Sequence, residues 1–158
     1  YAATMRRNLK DIILVSIQFV LFLIFTIDFN WSLRFFHGFK IMGLLMSMAG
    51  IIIIVLTLLQ LNRNISPFPT PKNKAVLLQN GLFKLVRHPI YCGIILLFIG
   101  YSLYQNSIFK LVISLLLMIL FYFKTQYEEQ QLQKKFPEYE SYKSNTGKFF
   151  PKFFKTNK

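Results

Sequence analysis

An all-α fold with four transmembrane helices, ending in a helical hairpin and a cytoplasmic amphipathic extension, is what this sequence predicts. Three observations carry that expectation. The 158 residues are 54% hydrophobic with eighteen phenylalanines, and the mean hydropathy is +0.43. That is too apolar for an ordinary small soluble domain. The apolar residues gather into four long runs, and the charges stand in blocks between them, as in integral membrane proteins. At this length the chain is a single domain, 1–158, with an N-terminal two-helix region over 5–61 and a second region over 62–158.

The opening Tyr1-Ala2-Ala3-Thr4 precedes Met5 and is set aside as foreign to the fold. The first run, Ile12–Phe29, has 18 residues, and the second, Ile41–Leu61, has 21. At 1.5 Å per residue they reach roughly 27 to 32 Å, enough for a hydrocarbon core. The first run is too long and too polar-flanked for a cleaved signal, and no small-residue cleavage site follows it. Ile90–Tyr104 and Ile108–Phe123 have 15 and 16 residues. They reach only about 23 Å, so both are expected to extend beyond their apolar limits. Only Gln105-Asn106-Ser107 separates them, which predicts a tight hairpin.

Basic residues orient the chain. Arg6, Arg7 and Lys10 precede the first run, the segment after the second holds Arg63, Lys72, Lys74, Lys84 and Arg87, and eight lysines follow the fourth. Only Arg34, Lys40 and Lys110 fall on the other side. The positive-inside rule therefore places both termini and the Asn62–His88 loop in the cytoplasm. The Lys-, Asn-, Ile- and Phe-rich composition points to a bacterial inner membrane. A net charge of +13 raises the question of nucleic acid, but such domains carry their basic face on a soluble fold, and little soluble fold remains here. The partner expected instead is the lipid bilayer. Nothing in the sequence fixes the number of subunits.

Small residues mark helix contacts. Gly43, Ser47 and Gly50 share one face of the second helix, and Gly93 and Gly100 share one face of the third. Ser66-Pro67-Phe68-Pro69-Thr70-Pro71 is extended, a spacer or a cover laid across a cytoplasmic opening. After the fourth run, Tyr127 or Glu128, Leu132 and Phe136 recur at helical spacing, so the last helix continues as an amphipathic extension that stops near Pro137. The tail Lys148-Phe-Phe-Pro-Lys-Phe-Phe-Lys mixes aromatics and cations, which suits an anionic leaflet.

Chemistry concentrates in two places. Asn80–Gly93 carries Arg87-His88-Pro89-Ile90-Tyr91 where a basic loop enters an apolar helix. Proline at the first helical position fixes φ and needs no partner, so the helix starts near Pro89 with Arg87 and His88 just outside. That end carries free N–H groups and a partial positive charge, and Arg87 with His88 makes it an anion-binding corner. A plainer reading has Arg87 on lipid phosphate and His88 as an interfacial residue. The second place is Glu128-Glu129, the only adjacent carboxylates in the chain. Its plain reading is a solvated face with a Lys124–Glu128 pair at i, i+4.

Other chemistries lack their residues. No Gly-x-Gly occurs, so neither a dinucleotide fingerprint nor a phosphate loop is present. His88 and Cys92 share a helix face, but His37 is expected across the membrane, so no metal is expected. Cys92 is the only cysteine, which leaves no disulfide. Asp28 is read as interfacial rather than as a proton relay.

Taken together these stretches resemble the isoprenylcysteine carboxyl methyltransferase and phospholipid methyltransferase superfamily of integral membrane enzymes. The resemblance covers about the C-terminal 60% of the chain. It begins near Pro67 and runs through Leu77–Tyr91 and Gly93, like the family's Leu-Val-x-x-Gly-Pro-Phe/Tyr-x-x-x-Arg-His-Pro-x-Tyr. It resumes at Glu128-Glu129-x-x-Leu132, Phe136, Tyr139-x-x-Tyr142 and Thr146-Gly147-Lys148-Phe149-Phe150-Pro151. Leu82 stands where the family usually has proline. Lys148 stands where arginine is common, and lysine cannot offer the bidentate fork.

The resemblance implies an S-adenosyl-L-methionine-dependent methyltransferase acting on a lipophilic small molecule or lipid: a carboxylate, thiol or amine. The cofactor would lie in a cytoplasmic pocket under the proline-rich loop. By carry-over Arg87 and His88 are the catalytic candidates. Leu85, His88, Pro89, Tyr91, Glu128 and Glu129 would line the cofactor, and Tyr139, Tyr142 and Lys148 the substrate. Glu128 or Glu129 would take the ribose hydroxyls or the ammonium, and Arg87 the cofactor's carboxylate or a substrate anion. Two other readings stand beside it: a steroid-reductase-like enzyme using NADPH, and a membrane protein with no catalytic role.

Overall fold

The computed structural model describes residues 9–28, 37–61 and 76–152. The described residues form six helices and no strand: α1 (Leu9–Phe25), α2 (His37–Leu61), α3 (Leu82–Leu85), α4 (Pro89–Tyr104), α5 (Ile108–Lys135) and α6 (Tyr139–Asn145). The proline-rich segment read as a spacer or cover, and the far end of the basic tail, lie outside the described residues. Gly38–Leu61 within α2, and the whole of α5, are long and apolar enough to cross a membrane, whereas α4 is a shorter apolar helix.

The apolar runs became helices with shifted ends. Helix α1 stops at Phe25 rather than Phe29. Thr26 and Ile27 close it with short turns onto the carbonyls of Leu23 and Ile24 at 3.1 Å each, and the Thr26 hydroxyl also donates to Leu23 O. Just beyond, Asp28 is held by Lys110 at 2.7 Å. Helix α2 begins at His37, a turn before its apolar run. The α4–α5 connection is tight because Asn106 adopts φ 53°, a left-handed conformation that asparagine tolerates better than most side chains. Ser107 then caps α5, its hydroxyl accepting from Lys110 N at 3.3 Å. Helix α5 runs on to Lys135, and Phe136 closes it just before Pro137.

Helix α4 lies between α2 and α5, and α1 lies against α5. Glycines set the α2–α4 spacing. A Cβ at Gly43 would come within 2.5 Å of Gly100 O, and one at Gly50 within 2.6 Å of Gly93 O, so the antiparallel backbones touch. Ser47 donates to Gly43 O at 2.9 Å, which satisfies its hydroxyl inside this contact. Between α4 and α5, Ser102 and Ser114 share a buried hydrogen bond at 3.1 Å. Nearer the other end Tyr91, Leu117 and Phe121 form a buried cluster, packed by Phe22, Ile94, Phe98 and Phe149 among others. Phe25 of α1 reaches across to Phe98 of α4, ring centroids 4.2 Å apart. The outer faces of α1, α2 and α5 keep large aliphatic side chains exposed, as lipid-facing surfaces do.

Candidate functional site

The site begins with the way the chain enters α4. Val86 is extended and forms an isolated parallel bridge with Gly147. Arg87 N donates to Gly147 O at 2.8 Å, and His88 N donates to Lys148 O at 3.2 Å. His88 then caps α4, with Pro89 at its first position. The C-terminal segment is thereby laid alongside the mouth of the α4–α5 pair. The backbone N–H groups of Arg87 and His88, just outside α4, are both taken by this pairing.

Arg87 completes the same connection. Its Nε donates to Glu129 Oε1 at 2.9 Å, and its Nη1 donates to the carbonyls of Lys143 (3.0 Å) and Thr146. The Arg87 and Glu129 side chains are only 9% and 7% exposed, so this ion pair is held away from solvent. Expected as an anion ligand, Arg87 instead has three acceptors within the protein.

The twin acids face the His-Pro corner from α5 and differ sharply in their surroundings. Glu129 is occupied on both oxygens. His88 Nε2 lies 3.2 Å from Oε1 beside the Arg87 contact, and Lys143 Nζ lies 3.6 Å from Oε2. Glu128 is less committed: its Oε2 accepts from the Tyr91 hydroxyl at 3.2 Å and lies 3.9 Å from His88 Nδ1, with a quarter of its side chain exposed. The solvated-face reading fails for Glu129, which is buried. The Lys124–Glu128 pair does not form either; Lys124 donates to Gln18 of α1 at 2.5 Å.

Aromatic rings wall this cluster. His88 sits 5.8 Å from Tyr91 and 6.3 Å from Phe149 between ring centroids, and Tyr91 stacks on Phe121 at 4.7 Å. From the C-terminal segment, Tyr142 donates its hydroxyl to Phe83 O at 2.5 Å, fixing the short α3 turn. Burial first, with Glu129 nearby, pushes the Tyr142 phenol up to about 12, although Arg87 pulls the other way. Tyr139 is buried beside it, and its hydroxyl has no hydrogen-bond partner among the described residues. Burial drives its pKa far above the ordinary range, with Glu129 adding to it. Lys148 lies over the Tyr122 ring at 4.5 Å and donates to Tyr122 O at 3.3 Å; partial burial lowers its pKa.

Most of the candidate residues thus come together. Arg87, His88, Pro89, Tyr91, Glu128, Glu129, Tyr139 and Tyr142 gather around one mouth, with Lys148 at its edge on the face of α5. Leu85 does not join them; it is 53% exposed on α3. Sequence reasoning missed Lys143, a ligand of Glu129, and Phe149, a wall of the His88 ring. Among the described residues no three His, Cys, Asp or Glu side chains gather in a way that would hold a metal ion. For a small ligand, the groups with capacity to spare are the Glu128 carboxylate and the aromatic faces, with the buried Tyr139 hydroxyl unpartnered among the described residues. That set suits a molecule bearing positive charge and hydroxyls.

A search among curated proteins finds no match to this chain. The family model described as phospholipid methyltransferase matches residues 39–139, nearly two thirds of the chain. That span runs from α2 to the start of α6 and includes both the His-Pro corner and the twin acids. The chain therefore belongs to the phospholipid methyltransferase family, within the isoprenylcysteine and phospholipid methyltransferase superfamily of membrane proteins.

Proposed function

We propose that this protein is an S-adenosyl-L-methionine-dependent methyltransferase whose cofactor occupies the mouth between α4 and α5. The carrying observation is the unequal state of the two acids. Glu129 is locked by Arg87, His88 and Lys143, while Glu128 holds one phenol and keeps acceptor capacity to spare. A carboxylate has about four acceptor positions, so Glu128 can take an ammonium or a ribose diol without losing Tyr91. The residues present fit the cofactor in kind: Glu128 for its cationic or hydroxyl groups, and the rings of Tyr91 and Phe149 beside His88 for its planar and cationic parts. Among the described residues the buried Tyr139 hydroxyl has no partner, which makes it a further donor.

When bound, the cofactor would supply an electrophilic methyl carbon on a sulfonium, open to in-line attack by an acceptor lone pair as the carbon–sulfur bond breaks and the neutral thioether leaves. The chain's own residues then chiefly align and exclude water. In this reading Glu128 and Tyr91 position the cofactor, and His88 borders it and is the group placed to hold a proton if the acceptor arrives protonated. Arg87 and Glu129 act through the others as positioning residues, by keeping the C-terminal segment on the mouth. Tyr142 and Lys148 hold that segment against α3 and α5.

The apolar runs support four membrane crossings, and the distribution of lysine and arginine supports cytoplasmic termini. On that topology the cofactor enters from the cytoplasm, and a lipophilic carboxylate, thiol or amine enters sideways from the bilayer. The test is transfer of labelled methyl from S-adenosyl-L-methionine into a fractionated membrane extract, with identification of the labelled product. His88→Ala should abolish labelling while the protein still inserts. Full activity in that variant would overturn the site assignment, and labelled hydride transfer from NADPH in its place would overturn the reaction.

A further inference from the structure

Between α2 and α4 lies an open hollow of about 390 Å³, lined by Lys40, Ile41 and Leu44 of α2 and by Tyr104 and Gln105 at the end of α4. Its volume is within the range of about 300–1,000 Å³ typical of small-molecule sites. Helix α4 has 16 residues, so roughly 24 Å of helix separates the hollow from the His-Pro corner. Gly43 fixes the spacing of its walls. A Cβ there would lie 2.7 Å from Tyr104 N, so the two backbones meet beside the residues that line the hollow. The proposed reaction makes no use of this place.

The hollow carries one charge. Lys40 stands in the first turn of α2 and is exposed. All six side-chain carboxylates of the protein lie among the described residues, and none is within ion-pair distance of Lys40. The acid at this end of the bundle, Asp28, is taken by Lys110 at 2.7 Å. Gln105 is turned to a neighbour, its Nε2 donating to the Tyr101 hydroxyl at 2.8 Å. A cation thus borders the hollow, and the chain supplies no counter-charge. The rest of the surface is apolar. Ile41, Leu44 and Met48 follow one another at helical spacing along α2, and all three are exposed. They belong to the stretch of α2 that is long and apolar enough to cross a membrane.

We propose that this hollow holds an anionic phospholipid of the leaflet opposite the mouth, with its phosphate on Lys40 and one tail along Ile41, Leu44 and Met48. The phosphate supplies the missing counter-charge. A zwitterionic lipid is a poorer occupant, because it brings a second cation to a place with no carboxylate to receive it. A free phosphate ion is poorer for another reason: it leaves the apolar stripe below Lys40 uncovered. The lipid here is a bound partner that bridges the ends of α2 and α4, and it is not the methyl acceptor. The length of α4 stands between it and the mouth, so the proposal holds whether or not the protein is a methyltransferase.

Hydrogen exchange on the full chain in nanodiscs tests this. Discs of phosphatidylcholine alone are compared with discs of phosphatidylcholine and phosphatidylglycerol in equal parts. In the wild type the amides of Lys40–Leu44 should exchange about fivefold slower in the mixed discs, the preference that one lysine at a membrane surface typically confers. Lys40→Gln should bring the two rates to within about twofold, and Lys40→Arg should keep the difference. Leu44→Trp separates a site from general attraction to charge, since it fills the hollow and leaves Lys40 in place; it should remove the difference as well. Lys40 and Leu44 are exposed, so the amides of Gly50–Thr57 in the same helix should match the wild type in every variant. Ile41→Trp replaces Leu44→Trp should the latter disturb them. Equal rates for the wild type in the two kinds of disc would overturn the proposal, as would a difference that survives Lys40→Gln or the filled hollow. Inorganic phosphate added to phosphatidylcholine discs should leave Lys40–Leu44 unchanged. A slowing of the full size by phosphate alone would make this an ion site and overturn the lipid.

Discussion

Arg87→Ala should release the C-terminal segment from the mouth without unfolding the helices. The guanidinium makes one buried ion pair with Glu129 and two hydrogen bonds to the carbonyls of Lys143 and Thr146. Breaking one partner of a buried pair typically costs about 3–5 kcal/mol, because the other charge is left behind. Here Glu129 keeps His88 at 3.2 Å and Lys143 at 3.6 Å. The lower end, about 3 kcal/mol, therefore applies. At about 1.4 kcal/mol per factor of ten, that is roughly a 150-fold rise in the opening constant of the segment. Hydrogen exchange reads this directly. Amides of Tyr139–Lys148 should exchange about a hundredfold faster, and those of Gly43–Thr57 in α2 should not change. Arg87→Lys should recover less than half of the loss, since a lysine cannot serve Glu129 and two carbonyls from one planar fork. Unchanged exchange in Tyr139–Lys148, or an equal rise in α2, would refute the idea that Arg87 is a local clasp.

Other expectations follow from contacts of the same kind. A Cβ at Gly100 would lie 2.6 Å from both Gly43 O and Ser47 N, backbone atoms that cannot swing aside. Gly100→Ala should therefore cost about 1–3 kcal/mol, seen as a lower midpoint of thermal unfolding in detergent; an unchanged midpoint would mean α2 and α4 are not in backbone contact. Tyr142 has a folded pKa of about 12 against an ordinary 10.0, so the unfolded chain loses that proton first. Its contribution to stability is complete below pH 10.0 and is lost as pH rises toward about 12. Tyr142→Phe should flatten that part of the alkaline stability curve, and an unaltered slope would show that the phenol does not carry it.

Much of this arrangement was legible because it rests on local rules. Pro89 announces the start of α4 by its fixed φ, and Gln105-Asn106-Ser107 is too short for anything but a turn. Gly43 and Gly50 on one helix and Gly93 and Gly100 on another marked contact faces because only a missing side chain permits such an approach; that the two faces meet each other came from the structure. The meeting of the His-Pro corner with the twin acids followed from joining two helices by three residues. What stayed hidden depends on partners far along the chain. The bridge between Val86 and Gly147 is a single pair with no periodic signature, so neither it nor the single turn of α3 could be read. Arg87 looked like an anion ligand because its acceptors are backbone carbonyls of Lys143 and Thr146, which carry no mark in a sequence. Lys124 looked like a surface partner of Glu128 because nothing local reveals that α1 covers it.

The difference between the twin acids is the most direct point of attack. Calorimetric titration with S-adenosylhomocysteine should show binding to the wild type, weakened at least about tenfold in Glu128→Gln, which removes a charged acceptor but little packing. Glu129→Gln should instead lower the thermal midpoint, since it unties Arg87, His88 and Lys143 together. No binding to the wild type, or equal binding by wild type and Glu128→Gln, would contradict the account.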